Sequence, residues 1–350
     1  MLSRLDRSAP ETGRRFFSRG LCATVAAALT VATTTVLAVP DPVAHRYRIS
    51  VACASETPAI RLDGLGFSCA DVRRSFELAA RGLPLELTFY DNRGDRSAAL
   101  TNLDEAIRGG TELFIQYDPD VAVNAATGTR LKAAGIPALG LNHSVPGAPL
   151  YGSDNVAAGS IAGQALAEFA ATNWRNAVPV AVVVGGAMPV ESTDARISGI
   201  TAGLKSSKPG MVITRLDSGN TERLEKTLTA FLTAQKGKKI LIAALDDRSA
   251  VSAKEVVEAA GRVDDCVIVS QGLDRSMHGG MHEKREISPD NRGSIVLGSV
   301  AYFLDRYGYD VLPLALRMLR GEAVPARTAT RHQLITPANV FWVYPPTDMN

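Results

Sequence analysis

Apolar runs of strand length recur along this chain, and between them apolar positions return at helical spacing. Strand-type runs at Tyr47–Cys53, Leu85–Tyr90, Glu112–Gln116 and Ile136–Leu141 alternate with helical patterns over Ala70–Arg81, Ser97–Ile107 and Val121–Ala134. A second series offers strands at Val178–Val184, Val212–Asp217, Ile240–Leu245 and Cys266–Ser270, with helices over Ala195–Leu204, Thr221–Gln235 and Ala250–Ala260. Strands as continuously apolar as Val180–Val184 suit sheets covered on both faces. Strand–helix alternation predicts parallel sheets. Two successive series predict an α/β chain of two doubly wound parallel-sheet lobes rather than one very wide sheet. The tail adds Ile295–Val296, a long helix from Val300 to Leu319, and β-like pieces at Gln333–Ile335 and Val340–Tyr344. Chain that returns after both series are complete must rejoin one or both lobes.

The N-terminus does not fit this alternation. Gly13-Arg14-Arg15-Phe16-Phe17-Ser18-Arg19 precedes an uncharged apolar run to Pro40, with small residues at Val36-Leu37-Ala38. A basic region, an apolar stretch and a small-residue cleavage site describe an export signal over residues 1–40. The paired arginines resemble a twin-arginine signal, which implies passage of the folded protein to the periplasm. An uncleaved anchor is the alternative. Among the 350 residues, 46% are hydrophobic and 21% charged, and the net charge of +2 makes no electrostatic case for nucleic acid. Of the four cysteines, Cys22 falls in the signal. Cys53 and Cys69 flank the first loop, and outside the cytoplasm they either pair or sit as small buried hydrophobes alongside Cys266.

Candidate chemistry gathers at strand ends. Gln116-Tyr117-Asp118 and Asn142-His143 close strands of the first series, while Asp246-Asp247 and Asp274 follow strands of the second. Arg196 stands at the turn opening the helix after Val178–Val184. In open α/β sheets ligands sit beyond the carboxyl ends of strands. Amides, carboxylates and an arginine in a crevice can bracket hydroxyls, which both donate and accept. Simpler roles compete: Asp247 as a helix cap, Asp118 as a turn residue before Pro119, Arg196 paired with Asp194 on a helix face. There is no G-x-S-x-G elbow, Walker lysine loop or H-E-x-x-H, so no enzyme is expected. His278, His282 and Glu283 surround Gly279-Gly280 and read as a solvated loop, so neither metal nor cofactor is expected.

Three segments carry a family resemblance. They are Gly135-Ile136-Pro137 through Asn142-His143 to Gly152-Ser153-Asp154-Asn155 and Gly159, then Asp246-Asp247-Arg248-Ser249-Ala250, and Leu334-Ile335-Thr336-Pro337-Ala338-Asn339-Val340. Together they resemble the periplasmic sugar-binding proteins of ABC transporters, of ribose- and galactose-binding type. The resemblance implies two lobes joined by three hinge crossings around a ligand cleft. The first lobe would take residues 46–153 and 298–328, the second 154–297 and 329–350. It implies a monomer that captures a sugar or polyol and passes it to a transporter permease, a sensor role being the alternative. By position, contacts come from Asn142 and His143 in one lobe and from Arg196, Asp246 and Asp274 in the other. The loop Ala54-Ser55-Glu56-Thr57-Pro58-Ala59 lacks the ring-stacking aromatic of many sugar binders. A smaller or more polar ligand follows, with Glu56, Gln116 and Tyr117 as further contacts.

Overall fold

The computed structural model describes residues 45–186, 191–216, 220–291 and 293–346. The export segment expected over residues 1–40 lies outside them. Among the described residues, the first sheet holds β1 (Tyr47–Cys53), β2 (Leu85–Asp91), β3 (Leu113–Tyr117), β4 (Ala138–Leu141) and β5 (Leu150–Gly152). The second holds β6 (Val180–Val184), β7 (Ile213–Arg215), β8 (Ile240–Ala244), β9 (Cys266–Gly272) and β10 (Val296–Ala301). Late chain then adds one edge strand to each: β11 (Arg327–Ala329) joins the first sheet and β12 (Gln333–Ile335) the second. The orders are β11-β5-β4-β3-β1-β2 and β12-β10-β9-β8-β6-β7. All pairings are parallel except that of β12 with β10. Two doubly wound lobes result, as the alternation implies.

The central strands are apolar because helices cover both faces. All of β8 and β9 is buried. In the first lobe α1 (Cys69–Ala79), α2 (Arg96–Arg108) and α3 (Val121–Ala134) connect the strands. The second lobe carries α4 (Asn155–Asn173), α5 (Glu191–Ser207), α6 (Thr221–Ala234) and α7 (Asp247–Ala259). Its closest helix pair is α4 with α5, which meet through glycines. A Cβ on Gly159 or Gly163 would strike the carbonyl oxygens of Arg196 or Ile200, and one on Gly199 or Gly203 those of Val156 or Ser160. Backbone therefore lies against backbone.

Among the described residues the chain crosses between lobes three times: at residues 153–154, at 302–306 and at 330–332. Two side chains, buried Tyr307 and half-buried His332, tie these passages together. The Tyr307 hydroxyl at the start of α8 (Tyr307–Leu319) lies 3.1 Å from the Ser153 hydroxyl and accepts a hydrogen bond from Thr330 at 3.4 Å. The His332 Nε2 accepts the Asp154 N–H at 3.0 Å, while its Nδ1 lies 3.0 Å from the Ala301 carbonyl. That set suits a neutral imidazole donating from Nδ1.

Several boundaries differ from expectation. The helix expected from Val300 begins only at Tyr307, because Val300 and Ala301 still pair with β9 and β12. Phe303, at φ 56°, then turns the chain into the crossing. A return to the first lobe at residue 298 therefore comes too early, since β10 belongs wholly to the second sheet. Val340–Tyr344 is not β-like: Val340–Val343 forms the short helix α9, started by a turn in which Asn339 accepts the Thr336 N–H. Strands β5 and β11 have only three residues each, too short for any periodicity to show.

Candidate ligand-binding site between the lobes

The site is built around the loop from Ala54 to Ser68. A disulfide between Cys53 and Cys69 joins the last residue of β1 to the first of α1, with Cα atoms 6.0 Å apart. Cys266 remains a buried thiol, pushed up to about 12 by burial. The loop is thus closed at its base and rises from the carboxyl end of β1. Its tip turns back on itself: the Leu62 N–H reaches the Phe67 carbonyl and the Leu65 N–H that of Leu62, each at 2.9 Å. Asp63 and Gly64 take left-handed conformations, at φ 53° and 71°, which Asp-Gly tolerates well. Leu62 and Leu65 are buried, and Leu65 points at the end of β9 beside Gly272. Gly66 approaches Asp274 so closely that a Cβ there would overlap the carboxylate. The tip therefore bridges the lobes.

Most groups singled out at strand ends meet this tip. Tyr117, at the end of β3, donates its hydroxyl to Asp63 Oδ2 at 2.6 Å. Asn142 follows β4 with φ 54°, a conformation asparagine adopts more readily than most residues. Its Nδ2 donates to Asp63 Oδ2 and, at 2.8 Å, to the Tyr117 oxygen. Its Oδ1 accepts the Ser153 N–H and the Tyr307 hydroxyl, both at 2.9 Å. His143 Nε2 lies 3.0 Å from Asp63 Oδ1. From the second lobe, Arg196 donates Nη2 to the Asp63 carbonyl at 2.7 Å, Nε to Asn155 Oδ1 at 2.9 Å and Nη1 to the Leu245 carbonyl at 3.2 Å. Its guanidinium lies over the Tyr302 ring, 5.1 Å from the centroid. Arg196 does not pair with Asp194, which faces Arg215 instead.

The electrostatics follow from these contacts. Burial works to raise the Asp63 carboxyl, but hydrogen bonding and charge from His143, with bonds from Tyr117 and Asn142, hold it below its ordinary value. Burial works to lower the His143 imidazole, but the Asp63 bond and charge win and raise it. Burial, then Asp63, pushes the Tyr117 hydroxyl well up. An anion, a cation-forming imidazole and a neutral phenol result.

Of the two adjacent aspartates, the expected helix cap is misplaced by one residue, while Asp246 keeps its place on the crevice. Asp246, not Asp247, caps α7: its carboxylate accepts the Ser249 N–H and hydroxyl, both at 2.8 Å. Asp247 is fully buried and accepts the hydroxyls of Ser270 and Ser299 at 2.6 and 2.7 Å and the Asp274 N–H at 2.7 Å. Burial, then the neighbouring Asp274, drives its carboxyl well up. Asp274 closes a turn onto the Ser276 N–H at 2.7 Å and still lines the crevice. Asp118 is a turn residue, accepting the Asp120 N–H at 2.9 Å.

Three expected contacts do not line the open crevice: Asn142 reaches it only through Asp63, and two others stand apart. Glu56 is drawn onto Arg73 of α1 at 3.0 Å and does not line the crevice. Gln116 alternates with Tyr117 along β3 and is buried off the crevice, its Nε2 without a partner among the described residues. His278 packs 4.3 Å from Tyr344, and burial lowers it to about 4. The remaining space of the crevice, about 1860 Å³, is lined from both lobes by Asp63, Tyr117, His143, Arg196, Asp246 and Asp274 among others. Sequence reasoning missed Asp63 and its neighbours Leu62 and Leu65, as well as Asn155 and Tyr302. Their available signal was the Asp63-Gly64 turn between two leucines, inside a span bounded by cysteines.

Comparisons with known proteins agree with this architecture. No curated protein matches the sequence. A solute-binding protein of an ABC transporter from Actinobacillus succinogenes 130z, solved with bound D-allose, is 15% identical, with a TM-score of 0.64 over 84% of this chain and 99% of that one. One from Mycobacterium smegmatis, with bound glycerol, is 19% identical with a TM-score of 0.62, covering 84% and 95%. The fructose-binding periplasmic domain of a hybrid two-component system is 17% identical with a TM-score of 0.60, covering 85% and 93%. These likenesses show the fold. The family model for the periplasmic binding protein domain matches residues 69–323, beginning at the cysteine that closes the loop. With two doubly wound lobes, three crossings and a match over most of its length, the chain belongs to the periplasmic binding protein domain family, whose members bind solutes rather than transform them.

Proposed function

We propose that this is an exported solute-binding protein that captures a sugar-like small molecule between its lobes and delivers it to an ABC transporter permease. One observation carries this reading: hydrogen-bonding side chains from both lobes, Tyr117, Asn142 and His143 at strand ends of the first and Arg196 on α5 of the second, converge on one segment of crevice. Capture by both lobes couples occupancy to closure, and a partner that favours the closed form then discriminates loaded from empty protein. The allose- and glycerol-bound neighbours support the solute class. A sensor role is the second reading, favoured by the likeness to a two-component periplasmic domain.

A thermal-shift screen of the purified protein against sugars, polyols and their acids tests the assignment. A ligand at a thousand times its Kd is expected to stabilise the fold by about 4 kcal/mol. If no compound of these classes raises the melting temperature, solute capture in this crevice is wrong.

A further inference from the structure

The inference concerns the ligand's chemical class and rests on the crevice being the solute site. We infer that the first-lobe wall is a carboxylate receptor now filled by the chain's own Asp63, and that the external ligand is a polyhydroxy acid that displaces the Leu62–Leu65 tip.

The hydrogen-bonding capacity of the wall decides the class. A neutral sugar hydroxyl donates as well as accepts, so a wall suited to it offers acceptors among its donors. This one does not. The Asn142 amide oxygen is spent on the Ser153 N–H and the Tyr307 hydroxyl, leaving only its Nδ2 for the crevice. The Tyr117 oxygen accepts from Asn142 and so turns its proton outward. His143 meets Asp63 through Nε2, the third donor. Three donors converging on two oxygens match a pure acceptor with a negative charge, and Asp63 supplies one. Arg196 then donates to the carbonyl of the same residue. A ligand replacing Asp63 therefore carries a carboxylate with a second oxygen nearby, as a hydroxy acid does.

The occupant is built to leave as a unit. Its internal hydrogen bonds, Leu62 to Phe67 and Leu65 to Leu62, travel with it, and its ends stay fixed by the Cys53–Cys69 disulfide. No atom outside its chain neighbours lies within 4 Å of where a Cβ on Gly64 would stand, so the tip meets open space there. Beyond the ring of polar contacts, the tip is held by Leu62 and Leu65. While it is docked the receptor is blocked, and apparent affinity falls by the fraction of protein whose tip is out. The loop also lies ahead of the family match, which begins at Cys69.

Calorimetric titration of the purified protein with matched pairs, D-galacturonate against D-galactose and D-gluconate against D-glucose, tests the proposal. Wild type is expected to bind the acid of at least one pair at least tenfold more tightly than its neutral partner. Asp63→Ala is expected to bind that acid at least tenfold more tightly than wild type, and His143→Ala in that background to erase the acid preference. The wild-type comparison stands whether or not the variants fold. Equal or tighter binding of the neutral sugars overturns the carboxylate receptor while leaving solute capture intact. Weaker binding by folded Asp63→Ala makes Asp63 a ligand contact and overturns displacement. No binding of either class by wild type or variant overturns this proposal together with solute capture.

Discussion

Asn142 does more than its place at a strand end suggests. One face of its amide fastens the first crossing through Ser153 and the second through Tyr307, while the other holds the loop tip through Asp63. His143 beside it is the titrating member of the pair. Its folded value is raised above the ordinary 6.5, so the folded protein binds the proton more tightly than the unfolded chain. The stability from its bond to Asp63 is then fully present below 6.5 and lost as pH rises through the folded value, with Asp63 and Asp118 the charges that face it. His143→Gln is expected to remove that alkaline decline from a plot of melting temperature against pH. An unchanged plot would show that the imidazole contributes no proton-linked stability. The Asn142-His143 pair was legible because a buried apolar strand ended in two polar residues. Asp63 was not, because a turn signal in a loop says that the chain bends but not where the bend is aimed.

At the scale of elements, the disulfide-closed loop and the glycine-paired helices play opposite parts. The loop gains on the order of 3 kcal/mol from closing a 16-residue separation, yet its tip contacts the second lobe chiefly through Arg196, Asp274 and the end of β9. The helices α4 and α5 leave no room between them. Gly163→Ala is expected to destabilise the protein by about 1–3 kcal/mol, because its Cβ meets the fixed Ile200 carbonyl rather than a flexible side chain. Urea unfolding of the variant measures this, and a loss under about 0.5 kcal/mol, the ordinary range of a surface change, would mean that the helices can separate. A buried apolar run such as Ile240–Leu245 reads as a strand because it has no other stable use, whereas the equally buried end of β10 does not separate in sequence from the helix expected at Val300. The failures cluster where length removes the signal: β5, β11 and α9 are each too short to display a period.

The whole molecule turns on its three crossings, which Tyr307 and His332 bind into one bundle. His332 titrates in the opposite sense to His143. Burial lowers it from 6.5 despite the Ala301 bond and Asp154, with Arg196 adding to the decrease. The folded protein therefore binds fewer protons there, and the stability of the neutral hinge contact is present above 6.5 and lost as pH falls below it. His332→Gln, whose amide can donate to Ala301 and accept from Asp154, is expected to flatten the acid limb of the melting curve; a limb as steep as in wild type would place its cause elsewhere. Two lobes were legible from repeated alternation, and three crossings from the family likeness. The clamp was not, because Tyr307 and His332 owe their role to chain brought together across more than 150 residues.

The glycine seam between α4 and α5 reaches further than stability. Helix α4 starts at the residue after the first crossing, and α5 carries Arg196. Fused backbone to backbone, the two form a rigid lever whose fulcrum is the crossing itself. A swing of the second lobe then carries the guanidinium away from the Asp63 carbonyl without slack. A ligand that displaces the loop tip takes over the same guanidinium, so Arg196 is the part of the second lobe that meets whichever occupant the crevice holds.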